Sequence, residues 1–248
     1  MKIAITGAAG FLGRALLKEL AGEHEIRAID LEMPGDLPEV ERGDVLVPEE
    51  MEKMCQGTER VIHLARARWE DGLASAENEA RIMDTRLKGS YNVMKAAGEG
   101  GVGRVIQISD LCVFSGYEEE VMVGEDFLPL PNTSAEQQAV YLSELIGREF
   151  ARLYPGLVLT LRLGQLVEVG KLAVGDRFEA DWLDLGDAVA AIRRGLEVDG
   201  YDGMSDWGLY DLAADVPEGR FSLLKITSGR FGFSPREDFA AWRKEAAV

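Results

Sequence analysis

Short apolar or β-branched runs alternate along the chain with longer stretches whose apolar positions recur every three or four residues. KIAIT leads into FLGRALLKELA, EIRAID follows, and RVIHLA precedes a helical pattern ending in YNVMKAAGE. RVIQIS and LVLTLRL bracket a helix expected over about Glu136 to Tyr154. Strands separated by helices of this length cannot pair as hairpins, so the pattern predicts an α/β fold with a doubly wound parallel sheet. Beyond Gly164 the alternation loosens into a helical DLGDAVAAIRRGLE, a strand-like YDLAA and a terminal helix around Phe239 to Lys244. The expected division is a nucleotide-binding domain over 1–164 and a small C-terminal substrate lobe over 165–248 packed on it.

The loop between the first strand and the first helix, TGAAGFLG, sharpens this picture. Gly7, Gly10 and Gly13, together with the backbone at Phe11 and Leu12, leave room for a diphosphate to approach amides at a helix N-terminus. The second strand ends in Asp30, whose carboxylate stands where it can accept hydrogen bonds from the adenosine ribose hydroxyls. The combination predicts a Rossmann-type domain that binds NAD. No arginine follows Asp30 to neutralise a 2′-phosphate, so NADP is disfavoured.

Composition narrows the partners. With 248 residues, 46% of them apolar, the chain can bury a full core. A net charge of −17 with no basic run argues against nucleic acid or an anionic membrane surface, and leaves a small molecule as the expected partner. No apolar run approaches a bilayer span and Met1 opens directly on a strand, so a cytoplasmic location is expected. Cys55 and Cys112 are read as core thiols; with only His24 and His63 besides, no metal site is expected.

Further motifs make the chain resemble the extended branch of the short-chain dehydrogenase/reductase superfamily, the NAD-dependent epimerase/dehydratase group. TGAAGFLG resembles that family's TGxxGxxG, and HLAR over His63 to Arg66 resembles HLAA, which puts Leu64, Ala65 and Arg66 on the cofactor. GDV resembles the segment whose aspartate faces the adenine, here Asp44 beside Val45. GSYNVMKAA, RVIQISDLCVF and YLSELIGREFARLY resemble GTxNxLxAA, the strand ending in SSxxVY and the helix YxxSKxxxE.

The resemblance implies a catalytic tyrosine at Tyr141, which also meets the cofactor. Where the family has a lysine four residues later, the chain has Leu145; its serine position falls on Asp110, beside Ser109, and its asparagine position on Arg86. A tyrosine without that lysine titrates near 10, leaving roughly one phenolate in a thousand at pH 7. Leu145 is expected to join an apolar face with Leu142, Ile146, Phe150 and Leu153. The literal YxxxK at Tyr91 to Lys95 lies on the wrong helix to be catalytic. Two readings stay open: a cofactor-binding protein with lost or altered hydride chemistry, serving as a ligand sensor or partner-binding protein, or an active oxidoreductase or epimerase using Asp110 and Tyr141 on a small sugar-derived substrate. In the second reading Arg66, Arg68 and Trp69 meet a carboxylate or sugar ring. The resemblance further implies a homodimer through helices around Thr85 to Ala97 and Glu136 to Tyr154.

Overall fold

A computed structural model describes residues 1–124, 126–173, 175–200, 207–217 and 219–243. The chain runs β1 (Lys2–Thr6), α1 (Phe11–Leu20), β2 (Glu25–Asp30), β3 (Val40–Arg42), α2 (Pro48–Cys55), β4 (Arg60–His63), α3 (Ser75–Asp84), α4 (Ser90–Glu99) and β5 (Arg104–Asp110). It continues through α5 (Ala135–Leu153), β6 (Val158–Leu163), β7 (Gln165–Val167), β8 (Trp182–Asp184), α6 (Leu185–Glu197), β9 (Gly208–Leu212), α7 (Leu224–Ser228) and α8 (Ala240–Arg243).

Among the described residues seven strands form one sheet in the order β3-β2-β1-β4-β5-β6-β9, and every pairing is parallel. Parallel strands buried on both faces need unbroken apolar runs, and β6 is buried at every position while β1 is buried from Ile3 to Thr6. On one face α1 and α6 supply Leu16, Leu20 and Ile192, which pack with Ile5 and Leu159. On the other, α2, α4 and α5 supply Met51, Met94 and Ala151, packed on Ala4 and Val158. The chain moves outward through β2 and β3 on one side of β1 and through β5 and β6 on the other side of β4. That reversal parts the loops above β1 and β4 and opens a crevice there.

Several local expectations differ from the structure. β3, β7 and β8 are each three residues long and carry too little pattern to read. The terminal helix starts only at Ala240, because fully buried Phe239 has a left-handed φ of 52° that no helix accommodates; Lys244 lies outside the described residues. The face that α5 turns to the sheet carries little apolar pattern. Ala139, Val140, Ser143, Glu144, Gly147 and Ala151 are buried, whereas Leu153 is exposed and Leu142 and Leu145 are half-buried. Small residues win that face because the sheet lies close. A Cβ on Gly147 would collide with the Gln107 side chain. Beyond Gly164 the chain returns to the sheet, placing β9 against β6 and α6 against α1.

Candidate functional site

The crevice is a groove of about 1400 Å³ running from the glycine loop, past Asp30 and Asp44, to Ser109, Asp110 and Asp181. Its three loop glycines serve different ends. Gly7 has φ 72°, and a Cβ there would stand 2.8 Å from the Ala65 amide, so only glycine lets the loop lie on the end of β4. A Cβ on Gly13 would meet the Ala8 carbonyl oxygen at 2.5 Å, which ties the glycine to helix–loop packing. Gly10 is the N-cap of α1, has an ordinary φ of −70°, and a Cβ there would meet only the Gly7 carbonyl oxygen at 3.3 Å. No side chain caps α1, so its first-turn amides at Phe11, Leu12 and Gly13 are left to the groove.

Asp30 braces this loop from the neighbouring strand. Its Oδ2 accepts the Ala9 amide at 2.9 Å and its Oδ1 accepts the Glu32 amide at 3.2 Å. On the far wall, Asp44 accepts the Leu46 amide and the Val45 carbonyl accepts from Asn92. Leu64, Ala65 and Arg66 line the floor beyond β4. A donor loop, an open position at Gly10 and a carboxylate at the end of β2 make a set that fits a dinucleotide: anionic phosphates at the amides, ribose hydroxyls at Asp30.

Deeper in, His63 is buried between the Thr6 hydroxyl at 2.8 Å and the Ser90 hydroxyl at 3.0 Å. Burial, reinforced by the charge of Arg86, pushes its imidazole down to about 3, so it is a neutral brace joining β1, β4 and α4. Arg86 belongs to a π-turn, Thr85–Gly89, inserted between α3 and α4, a wide turn that redirects side chains within a helical rod. It is 8% exposed and donates from Nη1 to the Ile108 carbonyl at 3.0 Å.

At the end of β5 the structure separates the candidate catalytic residues. Asp110 lines the groove, with Oδ1 accepting the Cys112 amide at 2.8 Å and capping the turn Leu111–Phe114. Ser109 also reaches the groove wall, but its hydroxyl donates to the Glu144 carboxylate. Glu144 in turn accepts from Arg162 Nη2 at 2.7 Å and Nε at 2.8 Å, and Arg162 faces Asp211 at 3.5 Å and the Phe114 ring at 4.9 Å. Tyr141 is half-buried against the cluster of Leu111, Val113, Phe114 and Phe221. Neither Tyr141 nor Leu145 is among the residues lining the groove.

Sequence reasoning missed Asp181. It lines the groove through the loop before β8, and burial, with the charges of Glu179 and Asp110 adding to it, raises its carboxyl above the usual range. The pairing of its carbonyl with the Gln165 amide, continued by the β7–β8 register, brings it there, and no local motif marks that contact. Glu144 was likewise invisible as a buried group, since its partner Arg162 sits on another element. Burial raises the Cys55 thiol to about 12 and Cys112 further still, so neither is poised as a nucleophile. Among the described residues no group of three His, Cys, Asp or Glu side chains could hold a metal ion, and no helix is long and apolar enough to cross a membrane.

Comparisons with known proteins agree with this architecture. The chain is 25% identical to the L-arabinose 1-dehydrogenase (NAD(P)+) of Haloferax volcanii, over 96% of its own length and 98% of that protein. The structure superposes on uronate dehydrogenase from Agrobacterium tumefaciens with a TM-score of 0.81 and 20% identity, covering 98% of this chain and 87% of that one. It superposes on the dTDP-glucose 4,6-dehydratase of Streptomyces venezuelae, solved with NAD, at 0.74 and 19% identity, covering 99% and 97%. These likenesses establish the fold. The family model of NAD-dependent epimerases and dehydratases matches residues 3–167, which span the glycine loop, both flanks of the groove and the strand end at Asp110, and the chain therefore belongs to that family.

Proposed function

We propose that the chain is an NAD-binding oxidoreductase acting on a small sugar-derived substrate, with Asp110 taking the proton of the reacting hydroxyl. The observation that carries this reading is the continuity of the groove, which joins the amides of α1 and the Asp30 carboxylate to the Asp110 carboxylate without a break. Bound NAD supplies a hydride acceptor. The chain's own residues must then hold the phosphates, at Gly10 to Gly13, bind the ribose at Asp30, and receive the proton that leaves when an alcohol is oxidised. A carboxylate is a base at neutral pH without an ammonium neighbour, whereas a phenol is not. Asp110 has Oδ1 engaged by the Cys112 amide and its carboxylate is also met by the Cys112 thiol, a weak donor that leaves the group available to the groove it lines. Tyr141, on the adjoining cluster and outside the groove lining, is not the base in this reading. Asp30 favours NAD over NADP because a 2′-phosphate would meet its negative charge.

The dehydrogenase among the relatives supports an active enzyme. Leu145 favours the second reading, cofactor binding without turnover, because nothing at that position can anchor a nicotinamide ribose or lower the pKa of a phenol. Steady-state NADH formation across aldoses, sugar acids and polyols separates the two. Turnover that is lost in Asp110→Asn and retained in Tyr141→Phe supports the first; NAD binding by calorimetry with no turnover on any of them supports the second.

A homodimer is part of the same proposal. Tyr91 on α4 and Leu153 on α5 are exposed, and Leu142 and Leu145 are half-buried, more apolar surface than packing on the sheet uses. Light scattering at tens of micromolar that returns a monomer rules it out.

A further inference from the structure

Five arginines line the groove, in a chain where acidic residues outnumber basic ones by 44 to 27. Two are committed: Arg14 to Asp36 at 2.5 Å and Arg81 to Glu70 at 2.6 Å. Arg66, Arg68 and Arg86 have no carboxylate within 4 Å among the described residues. For Arg66 and Arg68, which are exposed, that is unremarkable. For Arg86 it is not, since a guanidinium this buried normally has an anionic partner to offset its desolvation. Among the described residues its single hydrogen bond goes to the Ile108 carbonyl, and its remaining nitrogens are not sealed in protein but belong to a side chain that lines the groove.

From the π-turn that carries Arg86, its lack of a carboxylate partner and its place in the groove with Arg66, we infer that the inner groove is an anion subsite, and that the second ligand is a small polyol bearing an oxyanion, a carboxylate or phosphate, held by Arg86 and Arg66. Electrostatics agrees with this geometry. Burial, and next the charge of Arg66, lowers the Arg86 pKa to about 10 against the opposing charges of Asp110 and Glu144, and a ligand oxyanion beside the two guanidiniums would add to that opposition. Asp110 lies near enough to act on the same guanidinium, so a ligand anchored by its oxyanion presents a hydroxyl to the carboxylate. The inference rests on the proposed oxidoreductase reading for which end of the groove takes substrate, and does not need turnover.

The test is calorimetric binding to the full chain in the presence of saturating NADH, with D-glucuronate, D-glucose 6-phosphate and D-glucose as probes. One of the two anionic sugars should bind at least about tenfold more tightly than glucose, and which one it is names the oxyanion. Arg86→Gln should weaken that ligand about ten- to a hundredfold, as expected for loss of a hydrogen bond to a charged group, while leaving glucose and NADH affinity nearly unchanged. Arg86→Lys should recover part of the loss. If Arg86→Gln does not fold, Arg86→Lys alone should show the same charge-selective loss on a smaller scale. Equal affinity for charged and neutral sugars, or no saturable binding of either anion, overturns the inference. So does a loss of NADH affinity as large as the loss for the sugar, because the anion would then be the cofactor's own diphosphate. Anion-selective binding with no turnover leaves this inference standing and removes the oxidoreductase reading; turnover of neutral sugars with no anion preference does the reverse.

Discussion

At the scale of single residues, the glycine loop separates binding from folding. Gly10→Val sets its Cβ in a tight contact with the Gly7 carbonyl oxygen alone and lies on the groove, so it should abolish measurable NAD binding by calorimetry while costing less melting temperature than a Cβ at Gly7. Gly7→Ala should do the opposite, lowering the melting temperature, because its Cβ meets the backbone of Ala65 and its φ is left-handed. His63 gives a second residue-level expectation. Its folded pKa of about 3 lies below the ordinary value near 6.5, so the unfolded chain takes up a proton over that range and the folded chain does not. The stability this contributes is complete above about pH 6.5 and is lost as pH falls towards 3. Chemical denaturation against pH should show that acid loss, and His63→Gln should flatten it. The loop and Asp30 were legible in the sequence because their chemistry is local. The partner of Ser109 was not, because Glu144 lies thirty-five positions away and reads as one more helix-surface acid.

The element that most repays attention is α5. Periodicity located it to within a residue and found its leucine-bearing face, but not the inner face, which is built from small residues plus one carboxylate. Sequence pattern counts apolar side chains and cannot count a charge neutralised by a distant strand. Glu144 and Arg162 are 1% and 4% exposed, so removing one partner strands the other in the core. Glu144→Ala should cost about 3–5 kcal/mol in urea unfolding, and Glu144→Leu with Arg162→Met together should cost less than the sum of the single changes. A cycle in which the two changes simply add would show that the pair is not coupled. Because Ser109 donates to the same carboxylate, Glu144→Ala should also loosen the strand end beside Asp110, seen as faster amide exchange there.

For the molecule as a whole, the parallel sheet and the crevice above β1 and β4 were readable from the alternation of strands and helices. The walls supplied by short strands and by the loop before β8 were not, since three-residue elements have no period. The charge of −17 bears on the whole surface. Raising salt from low to physiological ionic strength should increase the melting temperature by screening self-repulsion, and a fall would mean that the exposed ion pairs outweigh it. The position of β9 has a consequence for biosynthesis. Its partner β6 ends at Leu163, and β9 begins forty-five positions later at Gly208. While the intervening chain emerges from the ribosome, Leu159, Leu161 and Leu163 stand on an unpaired strand edge, the kind that adheres to other nascent chains. A product stopped just before Gly208 should therefore accumulate in inclusion bodies to a greater extent than the full chain, in which β9 covers the apolar β6 and becomes the edge in its place.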